Sequence, residues 1–578
     1  MKNLKTNYEI GNIPHPEHPT PQFQRDTWTC LNGTWKLKKL SQNNTVVFDG
    51  EILVPFSPET LNSGIANGFT LYKDESLKYL RTFNVGSEFD GKKAVLHFGA
   101  VDSECKVILN GNLVGKHIGG FTPFSFDVTD YLTCGDNYIE VIITDEATRN
   151  GGARGKQSDK RGGIWYTAQS GIWQTVWLEF MPKISIDNLK ITPITKENKV
   201  NLTFDCDEVV TVTVLDEEKQ ILKTSGKNFV SLEYDFIKWS PDNPKLYDLI
   251  LQNDSGDVVK SYFGFRSFEI VKDNNDKLRL GLNGTPYFYN GVLDQGYWSD
   301  GMLTYPSDKA VIDELTMLKE MGFNTIRKHI KIEPMRWYYH CDRLGLVVWQ
   351  DFVNGGGEYK FSHVALFPFL GFHHKDDDYK YFAREDENSR NEFIQLVHET
   401  INALYNTVSV GVYVPFNEGW GQFDSKKITD LVTKLDNTRI IDSVSGWHDQ
   451  GKDKTLIKSL HTYYTPLKVP KDTRAIVLSE FGGYSMKVNG HVFDESKEFG
   501  YKKFKTQDKL ILALEKLYLD KLLPLIEKGL SGAIYTQVSD VEEEINGLVT
   551  YDRKVQKVPT EKMREINDKL KEVWSRIN

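Results

Sequence analysis

Apolar and polar positions follow one rhythm from Trp28 to about residue 270 and another from Gly281 onward. In the first stretch, short alternating runs are broken by turn signals: Gly33-Thr-Trp-Lys-Leu37, Ala94-Val-Leu-His-Phe98, Lys106-Val-Ile-Leu109, Tyr138-Ile-Glu-Val-Ile-Ile143 and Val209-Val-Thr-Val-Thr-Val-Leu215. A period of two marks strands with one face buried, and Asn110-Gly111 between two such runs predicts a tight hairpin. Strands at this spacing without helices predict a jelly-roll β-sandwich over residues 1–183, led in by a polar, proline-rich segment at 1–22. A second set of alternating runs predicts an immunoglobulin-like β-sandwich over 184–271.

After Gly281 the rhythm becomes strand–helix alternation. Apolar strand candidates fall at 287–292, 325–328, 346–349, 412–416, 439–444, 460–463, 475–479 and 532–537. Amphipathic helices are expected at 309–321, 385–405, 425–435, 508–528 and 561–576. This repetition predicts a (β/α)8 TIM barrel over 272–578.

Composition narrows the function. A chain of 578 residues is too long for one core and requires several domains. Its net charge of -9 argues against nucleic-acid and anionic-membrane partners, which favour a basic face. Aromatic residues make up 12% of the chain, a share compatible with stacking on sugar rings as well as with core packing. The cysteines, Cys30, Cys105, Cys134, Cys206 and Cys341, are widely spaced and lack a CxxC pair, as expected of reduced thiols. With no signal-peptide pattern and no apolar run of membrane-spanning length, the expected location is cytoplasmic.

Candidate chemistry sits at two strand ends. Gly411-Val-Tyr-Val-Pro-Phe416 runs into Asn417-Glu418 and then Gly419, and Ala475-Ile-Val-Leu-Ser479 runs into Glu480 and then Phe481-Gly-Gly483. Packing does not explain a carboxylate at the end of an apolar strand, whereas barrel enzymes collect their reactive groups at those C-terminal ends. Two such carboxylates are the minimum equipment for cleaving a glycosidic bond.

The chain also resembles glycoside hydrolase family 2, the group of β-galactosidases, β-glucuronidases and β-mannosidases. The first sandwich carries the likeness in Leu31-Asn-Gly-Thr-Trp35, Gly120-Phe-Thr-Pro-Phe-Ser-Phe-Asp127 and Ser170-Gly-Ile-Trp-Gln-Thr-Val-Trp-Leu-Glu179. The second carries it in Trp239-Ser-Pro-Asp-Asn-Pro-Lys-Leu-Tyr247 and Gly264-Phe-Arg266, and the barrel in Gly322-Phe-Asn-Thr-Ile-Arg327, Asn417-Glu418 and Ser479-Glu-Phe-Gly482. The resemblance implies a retaining, exo-acting glycosidase, with Glu418 as general acid/base and Glu480 as nucleophile. It implies that Asn417 binds the sugar 2-hydroxyl, that Arg327 lies by the nucleophile, and that His461 and Tyr463 form a strand end beside it. A β-galactoside is the expected substrate; mannosides, glucuronides, arabinosides and a non-catalytic sugar-binding role stay open. Relatives often self-associate, so a homo-oligomer is compatible.

Other positions have two readings. His329 is either a site residue or a hydrogen-bonded core histidine. Trp420 and Trp447 are either stacking platforms or packing. Asp294 and Gln295 are placed to reach sugar hydroxyls, as are Asp351 and Glu358, and Gln537 or Tyr535 stands where the family usually has tryptophan. The Gly- and charge-rich stretch 148–164, running into Trp165-Tyr166, either reaches over another domain's pocket or is a solvated loop. The acidic loop 540–547 either lines the sugar site or stays solvated. His373-His374 reads as a solvated loop, no spacing compels a metal site, and no cofactor is required.

Overall fold

The computed structural model describes residues 4–65, 68–145 and 151–577. Among the described residues of the lead-in, 4–25, there is no helix or strand. The first sandwich pairs a six-stranded antiparallel sheet with a four-stranded one. Strands of the larger sheet alternate buried and exposed residues, as in Gly33–Leu40 and Gly135–Thr144, and their inward side chains meet those of Lys93–Phe98 and Val176–Met181. Trp35, Leu37, Leu96, Phe98, Val107, Val141 and Leu178 form this core. The expected hairpin joins Glu104–Leu109 to Asn112–Ile118, with Asn110 and Gly111 both at positive φ (50° and 82°) as its twist requires. The second sandwich faces a three-stranded sheet onto a four-stranded one.

The barrel strands are β1 (Tyr289–Asp294), β2 (Thr325–Lys328), β3 (Val347–Asp351), β4 (Val410–Val414), β5 (Ile440–Ile441), β6 (Ile457–Thr462), β7 (Ala475–Gly482) and β8 (Leu530–Thr536). They pair in parallel as one 8-stranded sheet, in the order β5-β4-β3-β2-β1-β8-β7-β6. Unlike the sandwich strands, β3, β4, β7 and β8 are buried at every residue, because bore and helices cover both faces. Phe268, Leu280 and Leu282 from a short antiparallel sheet pack with Tyr289, Trp349, Val412 and Val477 of the barrel.

Several expectations shift. Helices follow β1, β2, β3, β4, β7 and β8; among the described residues none follows β5 or β6. Those two connections carry Gly446, Gly451, Pro466 and Pro470 among polar residues, which do not sustain a helix. The single helix expected at 508–528 is Gln507–Glu515, a wider π-type stretch Lys516–Leu522, and Leu523–Lys528. Pro524 lacks the N–H that would continue the regular ladder. Strand β5 is also shorter than the expected 439–444. Its pairing with β4 resumes further along, where Phe416–Asn417 lies beside Val444–Ser445.

All five cysteines are free thiols. Among the described residues, no helix is long and apolar enough to cross a membrane.

Candidate active site

The Phe416–Asn417 and Val444–Ser445 pairing holds the turn on which Glu418 sits. The Glu418 N–H donates to Ser445 O at 3.0 Å, and Glu418 and Gly419 both take positive φ (52° and 75°). Left-handed backbone at a non-glycine residue is strained and persists only where its surroundings enforce it. This turn aims the Glu418 carboxyl at β7. Oxygen atoms of Glu418 and Glu480 and a ring nitrogen of His461 all lie within 4.8 Å of one another. Both carboxylates are buried, at 7% and 4% exposure.

Hydrogen bonds fix both acids. His461 Nδ1 lies 2.7 Å from Glu418 Oε1, and its Nε2 lies 3.5 Å from Glu480 Oε1, so one imidazole spans the pair. Arg327 donates to Glu480 Oε1 (3.2 Å), Ser479 O (2.9 Å) and Asn417 Oδ1 (2.8 Å), and clamps Asp351 through two bonds of 3.0 Å. The Tyr463 hydroxyl donates to the other Glu480 oxygen, and Tyr501 stacks on the Tyr463 ring at 3.8 Å. Burial alone would raise the Glu480 carboxyl, but His461 and Arg327 outweigh it, with help from the Tyr463 hydroxyl, and hold it below the ordinary carboxylate value.

The structure therefore brings together Glu418, Glu480, Asn417, Arg327, His461 and Tyr463. His329 and Trp447 flank them: His329 Nδ1 lies 2.7 Å from Asp351 Oδ2, and the half-buried Trp447 ring is 6.3 Å from His461. Burial pushes His329 well below its usual value, so the ring is neutral.

Three expected sugar contacts are placed differently. Asp294 lies in register with Lys328, one residue on from the Leu293–Arg327 pair, so by the period of two it faces away from the bore. There its oxygens accept from Lys328 Nζ and from Gly296 N (2.8 Å). Gln537 is fully buried, accepting from Gln295 (2.8 Å) and donating to Asn546 (2.9 Å). Trp420 is 3% exposed, packed 5.3 Å from Trp165 and covered by the Lys156 ammonium 4.4 Å above its ring.

Both ambiguous loops bring a charged side chain, Lys156 and Glu544, within electrostatic range of Glu480. Residues 148–150 lie outside the described residues; residues 151–157 are mostly buried and dock on the barrel through Ala153 and Arg154, whereas Asp159 and Lys160 are exposed to solvent. Arg154 Nη2 donates to Gly357 O at 2.9 Å, and Lys156 is 5% exposed. In the acidic loop, Glu542 and Glu544 are 3% and 2% exposed and accept from Thr167 N (2.9 Å) and the Tyr166 hydroxyl (2.5 Å). Lys156, Tyr501 and Glu544 escaped the reading of motifs. Lys156 and Glu544 lay in stretches already marked by composition, while Tyr501 sits in an excursion after β7 with no sequence signal.

Comparison with known proteins agrees with this architecture. Residues 59–182 match the family model "Glycosyl hydrolases family 2, sugar binding domain", residues 184–266 match "Glycosyl hydrolases family 2", and residues 279–572 match "Glycosyl hydrolases family 2, TIM barrel domain". A beta-galactosidase of Thermoanaerobacter pseudethanolicus is 25% identical over 418 residues, covering 66% of this chain and 50% of that protein. A beta-galactosidase of Streptococcus thermophilus is 29% identical over 295 residues, covering 47% of this chain and 27% of that protein. The chain thus spans half or less of the length of these curated relatives. In three dimensions it superposes on a beta-D-glucuronidase from Dictyoglomus thermophilum with a TM-score of 0.74 at 16% identity, covering 98% of this chain and 99% of that one. With its barrel matched over more than half of its length and both sandwiches matched in order, the chain belongs to glycosyl hydrolase family 2.

Proposed function

We propose that this protein is a retaining, exo-acting β-glycoside hydrolase that works by double displacement. Residues 1–183 and 184–271 serve as β-domains framing the barrel of 272–578. The observation that carries this reading is the close approach of Glu418 and Glu480, whose oxygens lie within 4.8 Å. Inverting enzymes hold their two carboxyl groups about 6.5–9.5 Å apart to admit a water, whereas retaining enzymes hold them at about 5–5.5 Å.

Glu480, kept ionised by Arg327 and His461, attacks the anomeric carbon while Glu418 gives a proton to the departing oxygen. Glu418 then takes a proton from water, which releases the sugar from Glu480 with its original anomeric configuration. Asn417 supports the sugar side. Its Oδ1 is bound by Arg327, while its buried Nδ2 has no partner among the described residues and is free to donate to the sugar 2-hydroxyl. Lys156 and Glu544 interact electrostatically with Glu480 from two loops, joined through the Tyr166–Glu544 bond, an arrangement that favours a single terminal sugar over an internal unit of a polymer. Relatives and neighbours named beta-galactosidase and beta-D-glucuronidase support galactosides and uronides as the sugars to try first.

The test is proton NMR of aryl β-glycoside hydrolysis. The expected first product is the β-anomer, and Glu480→Gln is expected to lower kcat by at least about 10⁴-fold. An α-anomer would contradict retention. Sugar binding without turnover, unchanged by Glu480→Gln, would instead indicate a carbohydrate-binding protein.

A further inference from the structure

Lys156 is a buried cation without an anion. It enters the site from the first sandwich, 5% exposed, with Nζ 4.4 Å from the centre of the Trp420 ring and 5.6 Å from that of Trp165. Among the described residues, nothing hydrogen-bonds its ammonium and no carboxylate lies within ion-pair distance. Neighbouring buried cations are paired: Arg327 with Asp351 and Glu480, Lys331 with Glu333, and Lys557 with Asp540. Glu544, Glu418, Glu480 and Asp351 act on Lys156 only from longer range, and burial pushes its pKa below the ordinary lysine value against their pull. Burial of the side chain disfavours its charge, and aromatic faces return only part of that loss. The missing anion is therefore sought in what enters the site.

We propose that Lys156 binds the carboxylate of a terminal hexuronic acid, so that the substrate is a β-uronide and Lys156 determines its selection. This rests on the glycosidase reading above. The charge count favours a carboxylate over a phosphate or sulfate ester. The available donor is one ammonium among four acidic side chains, whereas dianionic groups are held by several cations or by a row of backbone N–H groups. Position agrees as well. Lys156 stands close enough to Glu418 and Glu480 to feel both charges but comes from the first sandwich, where it can meet a substituent of a sugar bound between them.

The experiment compares 4-nitrophenyl β-glucuronide, β-galacturonide and β-galactoside as substrates of the wild type, Lys156→Gln and Lys156→Arg. Calorimetry of free glucuronate, galacturonate and galactose with Glu480→Gln accompanies it. The wild type is expected to prefer a uronide. Lys156→Gln is expected to lower the uronide-to-galactoside ratio of kcat/KM about a hundredfold, with Lys156→Arg retaining more of it. Faster turnover of the galactoside, with uronates binding no more tightly than galactose, would overturn the assignment while leaving the glycosidase reading intact. Equal losses on both substrate types in Lys156→Gln would also overturn it. Uronate binding without hydrolysis of any glycoside would sink the glycosidase reading instead, and the absence of both would sink the two together.

Discussion

Tyr463 and Glu418 carry the sharpest consequences for single residues. The Tyr463 hydroxyl is one of the groups that keep Glu480 ionised, and its removal leaves one nucleophile oxygen without a donor. Because the folded-state pKa of Glu480 is depressed, its ionised form persists as the pH falls through the ordinary carboxylate range. Tyr463→Phe raises that pKa, so the acid limb of the kcat/KM profile is expected to move to higher pH, with kcat lower by about tenfold. Glu418→Ala is expected to act according to leaving group. The loss should be about 10²- to 10⁴-fold for alkyl glycosides, which require protonation, and much smaller for dinitrophenyl glycosides, which do not. Steady-state kinetics on a leaving-group series measures this directly. At this scale the strand ends singled out Glu418 and Glu480, while Asn417 and Arg327 were named through the family resemblance. It was silent on Lys156 and Tyr501, because both reach the site through long loops whose paths no local period encodes.

Among the elements, the short strand β5 and the turn after it control the geometry around His461. Gly446 has φ of 89°, and a Cβ there would lie 2.8 Å from His461 Nδ1, the atom facing Glu418. Gly446→Ala is thus expected to displace the imidazole and to cost about 10- to 100-fold in kcat, with a lower melting temperature from the left-handed backbone. Asp442, which follows β5, is 1% exposed, and burial pushes its carboxyl up to about 6. Its folded value lies above its unfolded one, so the folded chain binds the extra proton between those values and loses stability as the pH rises through them. Asp442→Asn removes this titration. Its melting temperature relative to the wild type is expected to be higher at pH 7.5 than at pH 4.5, read by scanning calorimetry. Most strands and helices were legible from period alone, since alternation marks the sandwiches and apolar runs mark β3, β4 and β7. The helix Met335–Leu344 after β2 went unnamed, and the connections after β5 and β6, rich in glycine and proline, were assigned no helix.

For the whole molecule, the site is shared between domains. The barrel supplies Glu418 and Glu480, and the first sandwich supplies Lys156 and Tyr166, docked by Arg154 on the carbonyls of the Gly356–Gly357 turn. Arg154→Ala is expected to loosen this docking, lowering kcat/KM by about tenfold or more with a smaller change in melting temperature. Sequence alone left the direction of that loop undecided, because composition shows that a segment is irregular but not what it lies against. The central claim is that Glu480 forms a bond to the sugar. Its most direct test is to incubate the enzyme with a 2-deoxy-2-fluoro glycoside bearing a good leaving group, then map the labelled peptide by mass spectrometry. The account predicts one added sugar, esterified to Glu480; a label on another side chain, or no covalent adduct with an enzyme that turns over the parent glycoside, would contradict it.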